Sequence, residues 1–168
     1  MRSTPGQPSC FAWAVGRVLA AVDLSSVTDD VLDYAARLAF AMNIELVALF
    51  VAEPPPDFVG YEAGPQSVRN SVAEHLREEH RVLEKKIAAL ARTGLQARPL
   101  MVQGAAVESI LKHAESLEAE WLVLGSHGHG KLYELLVGSV ADGVLRGAKV
   151  PVVMVPAPAR KAPDPDAP

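Results

Sequence analysis

Residues with phosphate-binding potential are concentrated in one stretch, GSHGHGKLYELLVGS, at positions 125–139. Gly125, Gly130 and Lys131 match the opening of a P-loop, G-x-x-x-x-G-K, in which backbone N–H groups and the lysine hold nucleotide phosphates. The next residue of a P-loop is Ser or Thr, because its hydroxyl binds Mg²⁺, but here it is Leu132. The sequence therefore disfavours a true P-loop.

The same stretch contains a second spacing, G-x-x-G, nine residues, then G-S, formed by Gly125, Gly128, Gly138 and Ser139. Glycines allow a phosphate or ribose to approach the backbone closely. Gly138 and Ser139 stand just before a predicted helix, whose N-terminal N–H groups and positive dipole end favour an anion. We expect the apolar residues between the two pairs to fold as a short turn. The spacing thus predicts a split phosphate cradle.

The histidines outside this pattern do not predict a metal or catalytic site. His75 and His80 are five residues apart, or about 140° apart on a helix, which matches neither H-E-x-x-H nor its inverse. His127 and His129 fall short of a metal site without nearby cysteines or a second pair of ligands. His113 is predicted to lie on a helix surface. We expect no protein-built metal site, and the sequence identifies no catalytic residue.

Composition and charge narrow the class of protein. The chain has 168 residues, 49% hydrophobic and 21% charged, which is typical of one globular domain. Its net charge of -4 comes without a basic stripe, so neither nucleic acid nor a membrane surface is an expected partner. Arg17 interrupts the apolar run 11–22, so no signal peptide or membrane span is expected. The lone Cys10 excludes an internal disulfide, and we expect a cytoplasmic protein.

Apolar runs and periodic stripes alternate along the chain and predict the order β-α-β-α-β-α-β-α-β. The predicted strands are RVLAAV (17–22), IELVALFV (44–51), LQARPLM (95–101), WLVLG (121–125) and PVVMV (151–155). Four stripes with helical spacing separate them. Their apolar residues are Val27, Val31, Tyr34, Ala35, Leu38 and Met42; Val72, Leu76, Leu83, Ile87 and Leu90; Val107, Ile110, Leu111, Ala114 and Leu117; and Val140, Val144 and Leu145.

The flanking residues supply the predicted ends of these elements. Ser25 and Ser26 are candidates to cap the first helix, and Gly94 suits the left-handed turn after the second. Residues 53–67 form a long Pro- and Gly-rich connection, either a pocket cover or a disordered insertion. Residues 1–16 and 157–168 are predicted to be flexible tails around one domain, 17–156.

This alternation predicts an α/β fold: a single-domain, open, five-stranded parallel sheet with helices on both faces. Ligands of such sheets bind beyond the carboxyl ends of the strands, where the strand order reverses. The glycine-rich stretch follows the fourth predicted strand, at that edge. Sequence position and motif chemistry therefore indicate the same place for a ligand.

The G-x-x-G, nine residues, G-S spacing resembles the nucleotide-binding motif of the universal stress protein family. VLAAVDLSS is similar to that family's first strand, LVALFVAEP to its second, and residues 125–156 to its closing motif, helix and edge strand. The resemblance covers residues 17–156. It implies a Rossmann-like domain, similar to the adenine nucleotide alpha hydrolases, with strand order 3-2-1-4-5. Members that carry the full motif are typically ATP-binding.

The resemblance also implies roles for individual residues. Asp23 would lie near ribose and adenine with Ala21 beside it, and Val51 would contact adenine. The other implied contacts are to the nucleoside, from Leu124 and Gly125, and to the phosphates, from His127, Gly128, His129, Gly138, Ser139 and Val140. The cofactor is then ATP, or ADP or AMP, with or without Mg²⁺. His129 stands where relatives often carry Arg or Lys, and Lys131 is the candidate to compensate.

The function implied is a nucleotide-responsive stress-response module with at most slow ATP hydrolysis, because no residue stands out as a base that positions water. Pairing of the edge strand Pro151–Val155 with a second copy would give the family's usual homodimer. Two alternatives remain open. One is an adenylating or nucleotide-hydrolysing enzyme of the same superfamily, although VDLSS replaces the expected Ser-Gly-Gly loop; the other is a nucleotide-free structural dimer.

Overall fold

The computed structural model describes residues 16–52, 66–126 and 138–156. Strands and helices alternate along them. The strands are β1 (Arg17–Val22), β2 (Glu45–Ala52), β3 (Ala97–Gln103), β4 (Trp121–Gly125) and β5 (Val152–Val155). The helices are α1 (Thr28–Met42), α2 (Gln66–Ala91), α3 (Ala106–Ser116) and α4 (Ser139–Gly147). Of the predicted connection 53–67, the last two residues belong to α2, and residues 53–65 lie outside this description, as do the predicted tails apart from Gly16.

The five strands form one parallel sheet in the order β3-β2-β1-β4-β5. The predicted fold class and strand order are therefore confirmed. β2 and β3 begin later than predicted, because Ile44 and Leu95 are buried in the turns that lead into them. Ile44 donates its N–H to the carbonyl of Ala39 at the end of α1. An apolar pattern reports burial, and these two residues are buried before strand pairing begins.

Two apolar layers cover the sheet, and alternate residues of β1 point into each. Val18 and Ala20 belong to the layer that contains α1 and α2, whereas Leu19 belongs to the layer of α3 and α4. All three side chains are fully buried. β1 is therefore sealed on both faces and paired on both sides, and only its ends can meet a ligand.

The packed face of α1 differs from the predicted stripe. Val31, Ala35 and Ala39 are buried as the 3.6-residue period requires, but Tyr34 is 51% exposed and Met42 is 36% exposed. Tyr34 instead lies beneath the guanidinium of Arg37, 5.5 Å from its ring centroid. The helix thus buries Leu32 beside these residues and leaves Tyr34 and Met42 of the predicted stripe partly outside.

The packed face of α4 also differs from the prediction. Ala141 and Val144 are buried, whereas Val140 and Leu145 of the predicted stripe are 36% and 43% exposed. The reason is that α4 packs against α3 through residues with little or no side chain, so its larger neighbours remain at the surface.

Two glycines one turn apart provide that close contact. A Cβ at Gly143 would lie 2.8 Å from Cγ2 of Val107, and one at Gly147 would lie 2.5 Å from Cδ1 of Leu111. The Leu111 methyl group ends a flexible side chain and can move. Val107 is β-branched and restricted at χ1, so Gly143 is the tighter of the two positions.

A charged cluster ties the amino ends of three strands together. Glu45 accepts from Nε of Arg17 at 3.0 Å and from Nε of Arg98 at 2.9 Å, and its own side chain is only 16% exposed. Arg17 also donates from Nη1 to the carbonyl of Leu117, just after α3, at 2.7 Å. The cluster lies at the opposite edge of the sheet from the predicted ligand site.

The turn after α2 contains Gly94 with a φ of 91°, which confirms the predicted left-handed glycine. None of the described helices combines the length and the apolarity that a membrane span requires.

We expect Gly143→Ala to lower the free energy of unfolding by about 1 kcal/mol, because overpacking a tight contact costs about 1–3 kcal/mol. Helix propensity alone predicts the opposite sign, since Ala is favoured over Gly by about 1 kcal/mol in a helix interior. Urea unfolding of Gly143→Ala measures the effect. The matched control introduces the same change beside Val107→Ala, where the clash is relieved and Gly143→Ala should stabilise. Stabilisation in both backgrounds would contradict the close contact.

Candidate functional site

The strand order reverses between β1 and β4, and the candidate site lies at the carboxyl ends of these two strands. Ala21 and Leu124 are directly paired across the β1–β4 ladder, so the chain leaves both strands at the same level. Asp23 follows β1 immediately, and Gly125 is the last residue of β4. A ligand at this position would lie where the strand order reverses, which is the usual binding place of open parallel sheets.

The three apolar residues that the family resemblance assigns to the nucleotide lie on one face of the sheet. Ala21, Leu124 and Val51 all belong to the apolar layer under α3 and α4. Leu124 is buried, while Ala21 and Val51 are half-buried. Val51 pairs with Val102 of β3 and not with β1, so it lies one strand away from the switch point.

The loop after β1 is held by a side chain that accepts from the backbone. Oδ1 of Asp23 accepts the N–H of Ser25 at 3.0 Å. This hydrogen bond spans Leu24, whose backbone lies in the left-handed region with a φ of 57°. Asp23 is itself exposed at the rim of the site. Such a turn stabilises a backbone that a leucine rarely adopts.

The predicted serine cap of α1 is wrong in its position. The residue at the N-cap is Val27, with no side-chain cap. Ser25 precedes it and supports the turn, because its carbonyl accepts the N–H of Thr28 at 3.1 Å and its hydroxyl accepts the N–H of Val27 at 3.4 Å. Ser26 is exposed. Ser25, which the sequence pattern assigned to the cap, therefore stabilises the turn before the helix instead.

Backbone hydrogen bonds join the end of β4 to the start of α4. Ser126 donates its N–H to the carbonyl of Val155 on β5, and its own carbonyl accepts the N–H of Gly138; both distances are 2.9 Å. Gly125 and Gly138, which belong to different halves of the motif, are therefore brought to the same place. The segment 127–137, which contains His127, Gly128 and His129, lies outside the described residues.

The first turn of α4 faces this junction. Its first helical hydrogen bond runs from the N–H of Asp142 to the carbonyl of Gly138, at 2.9 Å. The N–H groups of Ser139, Val140 and Ala141 precede that bond, and α-helix geometry gives them no intrahelical acceptor. Ser139 and Val140 are exposed. The helix start thus has the donors and the dipole orientation that suit an anion.

Two contacts at this edge were not predicted from the sequence. The first is the acceptor role of Ser126, although its position directly after Gly125 could have suggested it. The second is an ion pair within α4, between Oδ2 of Asp142 and Nε of Arg146 at 2.9 Å. The hydrogen bond from Arg146 lowers the pKa of Asp142. Their i, i+4 spacing is visible in the sequence once the helix start is known.

The described histidines are engaged in local contacts. His75 and His80 lie within 3.2 Å and 3.1 Å of Glu79 and Glu84, each one helical turn away. His113 is half-buried, and its Nδ1 lies 2.7 Å from the carbonyl of Ser109. Over the described ranges, no three His, Cys, Asp or Glu side chains come together as metal ligands.

These features define a class of protein: a doubly wound parallel α/β domain with a glycine-lined helix start at its switch point. The chain belongs to the universal stress protein family, whose sequence profile, described as "Universal stress protein family", matches residues 14–156. Universal stress protein MJ0531 of Methanocaldococcus jannaschii is 29% identical over 146 residues, which are 86% of this chain and 84% of that protein.

Solved structures share the fold. The structure of MJ0577, from the same organism, has a TM-score of 0.74 at 24% identity and covers 87% of this chain and 99% of its own. A universal stress protein solved with cAMP has a TM-score of 0.62 at 22% identity, over 83% of this chain and 95% of its own. One from Archaeoglobus fulgidus solved with dAMP has a TM-score of 0.59 at 20% identity, over 85% and 98%.

We expect Asp23→Ala to lower the free energy of unfolding by about 0.5–1.5 kcal/mol, the contribution of one hydrogen bond, because it removes the acceptor for Ser25. Asp23→Asn retains Oδ1 and should stay within about 0.5 kcal/mol of the parent. Chemical denaturation of the two variants tests this. Equal losses in both would contradict the turn geometry.

Proposed function

We propose that this universal stress protein binds an adenine nucleotide, with ATP as the leading candidate, between the carboxyl ends of β1 and β4. Its occupancy would govern the conformation or partner choice of a cytoplasmic stress-response module. The single observation that carries the proposal is the hydrogen bond from the N–H of Gly138 to the carbonyl of Ser126. It joins the two halves of the glycine motif at the start of α4.

The geometry at the carboxyl ends of β1 and β4 supports part of the proposed set of ligand contacts. Asp23 is exposed beside β1, where ribose hydroxyls would approach it, and Ala21 and Leu124 would form an apolar floor at the paired strand ends. Val51 would extend this floor toward the adenine. The contacts proposed for the nucleoside and phosphates come from Gly125, His127, Gly128, His129, Gly138, Ser139 and Val140.

The ligands bound to two related structures support an adenine nucleotide as the ligand proposed here. Two proteins of the same fold were solved with cAMP and with dAMP. Both of those ligands have an adenine, a sugar and one phosphate.

The test is to identify any nucleotide released by denaturing freshly purified protein, followed by calorimetric titration with ATP, ADP and AMP, with and without Mg²⁺. We expect binding in the micromolar to millimolar range typical of small-molecule sites, and hydrolysis, if measured, to be slow. A folded protein that binds none of the three would overturn the proposal and favour a nucleotide-free dimer. Rapid turnover or adenylate transfer would favour the superfamily's enzymes.

Variants distinguish the split cradle from a P-loop. Gly128→Val should abolish binding, because a branched side chain would occupy the space that a phosphate needs. Asp23→Asn should weaken binding about tenfold, since hydrogen bonds to a charged group contribute about 1.5–3 kcal/mol. Leu132→Ser restores the P-loop hydroxyl and should create no Mg²⁺ dependence. A gain of Mg²⁺-dependent affinity in Leu132→Ser would revive the P-loop interpretation.

We also propose that β5 pairs with a second copy of the chain. β5 is an outer strand of the described sheet, and its four residues, Val152–Val155, are apolar without a charge or an internal proline. The other outer strand, β3, contains Arg98 and Pro99, which are unfavourable for edge-to-edge pairing. The two edges therefore differ in their capacity for self-association.

The hydrogen bonds of β5 show which residues face the outer side. The carbonyls of Pro151 and Val155 accept from Leu122 and Ser126 on the β4 side. Because the backbone groups of a strand point alternately to its two sides, Val152 and Met154 direct theirs away from β4.

Met154→Pro should therefore convert a dimer to a monomer in size-exclusion chromatography with light scattering, because it removes one outward N–H and leaves the β4 ladder intact. Met154→Ala is the matched control and should remain dimeric. A parent protein that is monomeric at every concentration would refute the pairing.

A further inference from the structure

A pair of oppositely charged side chains on α4 lies close to the proposed phosphate position. Asp142 lies in the first turn, three residues after Ser139, so it is about 4.5 Å further along the helix axis. A carboxylate in a first turn stabilises the helix. The same carboxylate repels an anion bound to the N–H groups ahead of it.

Arg146 reduces this repulsion. Its Nε lies 2.9 Å from Oδ2 of Asp142, one turn deeper along the helix and further from the helix start. Both side chains are well exposed: 50% of the Asp142 side chain and 78% of the Arg146 side chain are accessible. The pair is therefore a dipole on the helix surface whose negative end is nearer to the proposed ligand.

We propose that the Asp142–Arg146 pair sets the phosphate-number preference of the site, with Asp142 disfavouring additional phosphates and Arg146 limiting that penalty. This inference rests on the proposed nucleotide binding at the start of α4. It assigns to the two residues a role in specificity through electrostatic interaction, with no direct contact to the ligand required.

The sign of each charge gives the expected effect of its removal. Asp142→Asn removes a negative charge and should tighten binding, by about twofold for AMP and about fivefold for ATP at low ionic strength. Arg146→Gln leaves Asp142 unneutralised and should weaken binding, again more for ATP than for AMP. The double variant should return near the parent ratio of ATP to AMP affinity.

The opposite signs separate this role from a structural one. Either single variant breaks the same ion pair and removes a favourable interaction with the helix dipole, so a purely structural effect would move both in one direction. Raising the salt concentration to about 1 M shortens the Debye length to about 3 Å and should largely remove the differences.

The chain offers a matched control on α1. Asp33 and Arg37 form an i, i+4 pair with exposed side chains, of the same residue types as the α4 pair. Asp33 lies mid-helix and not at a helix start. Asp33→Asn should therefore leave the ATP-to-AMP affinity ratio unchanged.

The experiment is calorimetric titration of the full chain and its variants with AMP, ADP and ATP without divalent cations, at low and at high salt, with thermal unfolding as a check on folding. Opposite shifts for Asp142→Asn and Arg146→Gln that grow from AMP to ATP are the expected result. Shifts in one direction, or equal shifts for AMP and ATP, would overturn the inference. A parent that binds no nucleotide would instead refute the proposed function itself.

Discussion

The structure depends on the position of β1, which has a paired strand on each side and an apolar layer on each face. Val18, Leu19 and Ala20 are completely buried, so polar groups can meet β1 only at its ends. At the amino end, Arg17 pairs with Glu45 and reaches the carbonyl of Leu117. At the carboxyl end, the chain turns through Asp23 and Leu24 into α1, which leads to β2 on one side of β1. β4 lies on the other side of β1. This reversal creates the space for a ligand.

The amino and carboxyl ends of the strands thus have different roles. Ion pairs at the amino ends are satisfied within the protein and hold three strands in register. The carboxyl ends have exposed groups, Asp23 and Ser139 among them, next to backbone donors at a helix start. A separation of this kind would allow the charge at the carboxyl ends to vary without loss of the fold.

The close contact between α3 and α4 links the site to the core. Gly143 and Gly147 let α4 approach Val107 and Leu111, and that approach places the first turn of α4 beside the end of β4. The hydrogen bond between Ser126 and Gly138 completes this placement. An anion bound at the helix start would therefore act on a helix whose position is fixed by packing.

The sequence by itself determined the parallel α/β class and the number and order of elements. It also indicated which types of residue follow the strands at the switch point: glycines, Asp23 and Ser139. Hydrophobic periodicity and turn residues carry that information because side-chain polarity and backbone freedom are properties of the individual residues. Tertiary structure decided which face of α1 and α4 is buried, and it overrode the predicted stripes at Tyr34 and Val140. It also decided the role of Ser126, since hydrogen-bond partners as distant in sequence as Gly138 and Val155 cannot be read from spacing alone.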